Sequence, residues 1–215
     1  MQTSKYDISH LSQFGDQYPL ERSLCIDSIT NELENFKDKW SPYNPRKDWI
    51  ARDGLCVLNE RGACGPGPAL DSLGEYNREN NTSFTEQDFN KPTELYHNSG
   101  ALQYVMEDML PWCIRTHFLR LRPGGYFPPH RDHNLGEQKT FRLIIPVENC
   151  NPPYARFILE DKSLYWNLGT MYYINTTKQH SLFNASTDMD SIWLVINAIV
   201  SDESVEFVSK NLCER

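Results

Sequence analysis

The chain has 215 residues, which suits one domain with a core of useful size. Its net charge of −8 and pI of ≈ 5.2 argue against a general nucleic-acid-binding surface. No apolar run approaches the ~18 residues of a membrane span, so none is predicted.

Residues 1–22 read as weakly ordered. Over 28–40 the apolar residues Ile29, Leu33, Phe36 and Trp40 recur at helical spacing and predict a short helix. Pro and Gly break up the stretch that follows, which predicts loops with short strands at 49–51 and 55–58. Residues 70–92 are polar and predict irregular structure, with an exposed loop over 77–82. A second helix is predicted over 99–112, where Leu102, Val105, Met106, Met109 and Leu110 share one side.

From Cys113 the pattern changes to short strand-like runs: 116–121, 126–129, 140–147, 155–159, 164–166, 171–174, 180–183 and 192–200. Turn sequences PGG, NPP, EDK and NLG separate them. Eight short strands after a helical lead-in predict a mainly β protein, a jelly roll or cupin-like double sheet. No βαβ alternation and no glycine phosphate loop is present. We therefore expect a single domain over 1–215, with a helical and loop lead-in and cap over 1–112 and a jelly-roll core over 113–205. Aromatic residues make up 12% of the chain, which fits a β core around a lined cavity.

Cys25, Cys56, Cys64, Cys113, Cys150 and Cys213 form no CxxC pair and no zinc-ribbon spacing. The polar N-terminal stretch has no apolar signal core. Free thiols in a reducing cytoplasm are the expectation.

The segment PGGYFPPHRDHN places His130 and Asp132 two residues apart. In a strand, residues i and i+2 point to the same face, so an imidazole and a carboxylate project side by side. His180 stands in a later strand-like segment. Two imidazoles and one carboxylate on one side of an ion, with the opposite positions open, are what a non-haem Fe(II) oxygenase needs, the open positions serving a co-substrate and O2. Zinc accepts the same groups, so the set alone does not identify the metal. His133 points away from Asp132 and reads as a surface or supporting residue, and His10, His97 and His117 lack such partners.

In TFRLIIPV, Phe141, Leu143, Ile145 and Val147 define one apolar face, and Arg142 shares the other with Ile144 and Pro146. A guanidinium inside a strand is costly unless an anion meets it. Arg142 is either an edge residue reaching solvent or an acid, or a clamp for a ligand carboxylate.

The ordered pattern LRPGG, PPHRDHN, FRLIIPV and NLGTMYYINTTKQHSLFN resembles the aspartyl/asparaginyl β-hydroxylase branch of the 2-oxoglutarate-dependent Fe(II) oxygenases. That branch includes peptide hydroxylases and free-proline hydroxylases. The likeness covers residues 113–200, and WSPYNPRKDW and PTELYH add a looser one. It implies a double-stranded β-helix and oxidative decarboxylation of 2-oxoglutarate to succinate and CO2, coupled to oxidation of a substrate C–H bond. It implies His130, Asp132 and His180 as metal ligands and Arg142 beside the co-substrate.

The family's usual arginine near the start of the last strand, which pairs with the distal carboxylate of 2-oxoglutarate, is missing. Asp190 and Ser191 stand there instead. A family histidine two residues past the strand arginine is replaced by Ile144. Arg142 is the favoured clamp, with Arg120, Arg122 or Lys178 as substitutes and Ser191 as a hydrogen-bond donor. For the substrate, an amino acid, peptide or related small molecule, we expect Tyr43, Asn44 and Arg46 in a loop over the barrel mouth, with Tyr126, Arg131 and Trp166 as further candidates. The alternatives are a metal-dependent cupin-type enzyme that uses no 2-oxoglutarate, or a non-catalytic jelly-roll binding module.

Overall fold

The computed structural model describes residues 5–132 and 139–213. The lead-in contains α1 (Ile8–Ser12), β1 (Gln17–Ser23), α2 (Ile26–Glu34), β2 (Ser41–Pro42), β3 (Arg52–Cys56), β4 (Leu58–Asn59), α3 (Leu73–Asn80), β5 (Lys91–Pro92), α4 (Glu94–Asn98) and α5 (Gly100–Met106). Then come β6 (Cys113–Leu121), β7 (Tyr126–His130), β8 (Thr140–Glu148), β9 (Ala155–Leu159), β10 (Lys162–Leu164), β11 (Thr170–Ile174), β12 (His180–Asn184) and β13 (Ser191–Ile199), followed by α6 (Asp202–Lys210).

The strands build two main antiparallel sheets. The larger runs β1-β11-β8-β13-β6-β3-β2 and the smaller β10-β9-β12-β7. Within them, β11-β8-β13-β6 faces β10-β9-β12-β7, and the chain passes repeatedly from one sheet to the other. That strand order is a jelly roll, the double-stranded β-helix of cupin-type folds.

Period-2 alternation explains why the sheets face each other. On β8, Phe141, Leu143, Ile145 and Val147 join Leu102, Val105 and Met106 of α5 in a core outside the roll. Ile144 of the same strand joins Leu119, Phe157, Leu182 and Trp193 in a second core between the sheets. Each such side chain stabilises the fold by roughly 1.5–3 kcal/mol on burial. No helix among the described residues is long and apolar enough to cross a membrane.

The lead-in departs from expectation in several places. Within the stretch expected to be weakly ordered, the described residues 5–22 form α1 and most of β1, which extends the larger sheet by pairing with β11, where Tyr18 stacks on Tyr173 with ring centroids 4.8 Å apart. The strands expected at 49–51 and 55–58 are replaced by β3 and β4, because pairing with β6 sets the register and leaves Trp49 exposed. The lead-in thus contributes three strands to the larger sheet as well as covering it. The helix expected over 28–40 ends at Glu34, and a 3-10 turn at Lys37–Lys39 follows. Within 70–92, α3 forms with Leu73 as its only buried residue, so no apolar stripe announced it. It ends at Asn81 in the left-handed region, φ 51°, which asparagine tolerates. Ser201 caps α6, which has no counterpart among the predicted elements.

Candidate metal centre

The turn ahead of β7 has Pro123 and Gly124 at its centre, Gly124 at φ 76° and Gly125 N–H donating to the Arg122 carbonyl at 2.8 Å. Proline followed by a left-handed glycine makes a type II turn. Along β7 the register against β12 slips at the two prolines: Phe127 pairs with Leu182, but His130 pairs with His180. The extra residue lets Phe127 and His130 both face inward, where both line a cavity of ≈ 120 Å³ between the sheets.

His130, Asp132 and His180 converge at that cavity, with ligand-capable atoms all within 4.8 Å of one another. Asp132 Oδ1 lies 3.6 Å from His130 Nε2 and 4.0 Å from His180 Nε2. The ring nitrogens on the far side are already committed. His130 Nδ1 lies 2.7 Å from the Pro128 carbonyl oxygen, and His180 Nδ1 lies 3.1 Å from that of Lys178. A carbonyl only accepts, so each ring donates from Nδ1 and keeps the Nε2 lone pair toward the cavity. Two fixed imidazole acceptors and a carboxylate are a donor set that fits a divalent transition metal.

Electrostatics favour an ionised Asp132 and a neutral His180. Burial alone would raise the Asp132 carboxyl, but Arg142, His180 and His130 hold it below its ordinary range, helped by a hydrogen bond from Thr176. Arg142 Nε lies 3.3 Å from Asp132 Oδ2. Burial lowers His180, which keeps it neutral and able to bind a metal.

Of the other expected site residues, Arg142 and Tyr43 line the cavity. The rest do not, and each has a physical reason. Ser191 is fully buried, and its Oγ accepts from Trp193 Nε1 at 2.8 Å. Arg122 pairs with Asp53 at 3.1 Å, as Arg120 does at 2.9 Å. Arg46 is held by Asp71 and Glu79. Asn44 is buried in a left-handed backbone conformation next to that arginine. Arg131 is exposed, with its Nη1 3.5 Å from the Thr177 carbonyl. Tyr126 is exposed outside the roll, and Trp166 stands edge-on to Trp193, 5.5 Å between centroids, within the wall. Lys178 is not among the lining residues, and His133 lies outside the described residues.

The structure adds His117, Asn197 and Arg115 to the lining. His117 Nδ1 and Asn197 Nδ2 both approach the Arg115 carbonyl oxygen, at 3.2 and 3.1 Å. Arg115 itself sits at φ 41°, in a bulge of β6 where the pairing with β13 shifts between Val195 and Asn197. Burial, with the guanidiniums of Arg115 and Arg142 nearby, pushes the His117 pKa down to about 3. The alternation of His117, Leu119 and Leu121 on one strand face was the available signal for its inward direction.

No family model and no curated protein sequence matches the chain. Among solved structures it is similar to a prolyl-4-hydroxylase of Pseudomonas putida, at 12% identity and TM-score 0.46 over 86% of this chain and 91% of that one. It is similar to KdgF from Halomonas sp., at 9% identity and TM-score 0.38 over 79% and 94%. A predicted oxalate decarboxylase from Thermotoga maritima aligns at 16% identity and TM-score 0.33 over 44% and 73%. At these scores none of them bears on the chemistry of this chain. Its own strand order makes it a jelly roll of the cupin type, with a His-Asp-His group that could hold a metal.

Proposed function

We propose that the protein is a non-haem Fe(II) oxygenase that uses O2 and a 2-oxo acid co-substrate to hydroxylate an amino acid, a peptide side chain or a related small molecule. The observation that carries this reading is the convergence of His130, Asp132 and His180 on one cavity, with the Arg142 guanidinium beside the carboxylate. A bound Fe(II) would supply the redox chemistry. The chain's part is to fix the ligand rings through the Pro128 and Lys178 carbonyls, present Arg142 to a carboxylate and keep bulk water out with Phe127, Phe157 and Leu182. The sequence resemblance points to 2-oxoglutarate as the co-substrate. A reducing cytoplasmic setting belongs to the same reading.

The test is Fe(II)-dependent O2 consumption and release of the decarboxylated acid over a panel of amino acids and peptides. Turnover should vanish in His130→Ala, and unchanged turnover in that variant rejects the metal assignment. A second reading, a metal-dependent enzyme of this fold that uses no 2-oxoglutarate, is favoured by one observation: Ser191 is closed off by Trp193 where a distal carboxylate would need a partner.

A further inference from the structure

Facing residues on adjacent strands arrange the cavity wall in rows. In the larger sheet Asn197 pairs with Arg142, Val195 with Ile144 and His117, and Trp193 with Leu119. In the smaller sheet His180 pairs with His130, and Leu182 with Phe127 and Phe157. The row at the metal ligands is polar, whereas the rows beyond it are aromatic and aliphatic apart from His117.

Charge is equally one-sided. Two guanidiniums line the cavity. That of Arg115 is spent on Glu86 and on the carbonyls of Ala69 and Asp71. That of Arg142 meets Asp132 Oδ2 at 3.3 Å and Thr140 Oγ1 at 3.4 Å, and five N–H donors exceed what two contacts use. His117 supplies no positive charge on the far side, since the ring is buried close to the Arg115 and Arg142 guanidiniums, which disfavour a further cation. Among the described residues, Arg142 is therefore the one lining cation able to take a carboxylate.

We infer that the small acid sharing this cavity with the metal is a 2-oxo monocarboxylate, its carboxylate at Arg142 and a branched aliphatic tail against Leu119, Ile144, Phe157, Leu182 and Trp193, rather than a dicarboxylate. The inference rests on the oxygenase reading and changes only the identity of the co-substrate. A second carboxylate in the far rows loses its hydration against hydrocarbon and gains no cation, whereas an isobutyl-sized tail is favoured there. The chemistry balances. The acid R–CO–COOH and O2 yield R–COOH and CO2, and the second oxygen atom enters a substrate C–H bond as C–OH. Two of the four electrons taken up by O2 come from the 2-oxo acid and two from the C–H bond.

Calorimetry of the Mn(II)-loaded protein without oxygen, titrated with 4-methyl-2-oxopentanoate and separately with 2-oxoglutarate, tests this. The monocarboxylate is expected to bind at least about tenfold more tightly. Arg142→Met should weaken both acids. Trp193→Phe, which leaves a roomier apolar end, should shift preference toward bulkier tails without favouring 2-oxoglutarate. Tighter binding of 2-oxoglutarate overturns the inference and leaves the oxygenase reading standing. Stoichiometric Mn(II) with neither acid bound overturns both. If Mn(II) itself fails to bind, the oxygenase reading falls, and the same titrations on metal-free protein decide the cavity argument: equal or reversed affinities overturn it.

Discussion

His130 and His180 face each other directly across β7 and β12, with ring centroids 4.2 Å apart. That pairing brings together two residues far apart in sequence, and each is then fixed by the carbonyl two residues before it. A ligand pair set by sheet register needs little rearrangement to receive an ion.

The first prediction concerns the metal. His180→Ala or Asp132→Ala should weaken Mn(II) or Fe(II) binding by about 100-fold or more, read by equilibrium dialysis with elemental analysis. In the wild type, metal at about 100 times Kd should add roughly 2.7 kcal/mol of stability, and in those variants the same concentration should add little.

The second prediction concerns pH. His117 stays neutral in the folded protein down to about pH 3, beside Arg115, Arg142 and Tyr43, and its unfolded value lies near 6.5. The unfolded chain therefore binds the extra proton first as pH falls. The contribution of His117 is fully present above about pH 6.5 and is lost toward pH 3, by up to roughly 1.4 kcal/mol per pH unit. His117→Gln should flatten the stability curve between pH 6 and 4 in urea titrations, and an unchanged slope contradicts the neutral buried ring.

The third prediction compares two arginines. Arg115 and Glu86 form a buried pair that ties the lead-in to β6. Arg115→Ala leaves that carboxylate and two loop carbonyls without their donor, and should cost about 3–5 kcal/mol. Arg122 is half-exposed on Asp53, which Arg120 also serves, so Arg122→Ala should cost less than about 1 kcal/mol. Chemical denaturation of the two variants gives the comparison.

The fourth prediction concerns Gly125. A Cβ there would collide with the Ala51 carbonyl oxygen and press on that of Arg122. These are backbone atoms and cannot swing aside. Gly125→Ala should destabilise the fold by roughly 2 kcal/mol or more. It should also loosen metal binding, because the strand that starts next to it carries His130. Wild-type metal affinity in a folded Gly125→Ala protein would break that link.

The roll itself was readable in the chain because its strands alternate. Phe141, Leu143, Ile145 and Val147 against Arg142 and Ile144 specify which side of β8 faces which core. Strand alternation does not carry Asp132, which lies past the end of β7 and is held by its N–H donating to the Thr176 carbonyl. The arginines were not readable. Arg46 and Arg122 are claimed by Asp71, Glu79 and Asp53, and nothing local in the sequence reveals partners brought in by folding. Ser191 looked available because nothing in the sequence shows that Trp193, two residues on, turns its indole N–H back onto it. α3 and β1 were missed for a related reason: one buries a single side chain, and the other depends on a distant partner strand.

The two prolines that shift the β7 register have another effect. β7 is the outermost strand of the smaller sheet, and Pro128 and Pro129 cannot offer N–H groups to a neighbouring chain. An edge that carries a metal ligand is thereby a poor template for strand addition, which guards the protein against edge-to-edge aggregation beside its chemical centre.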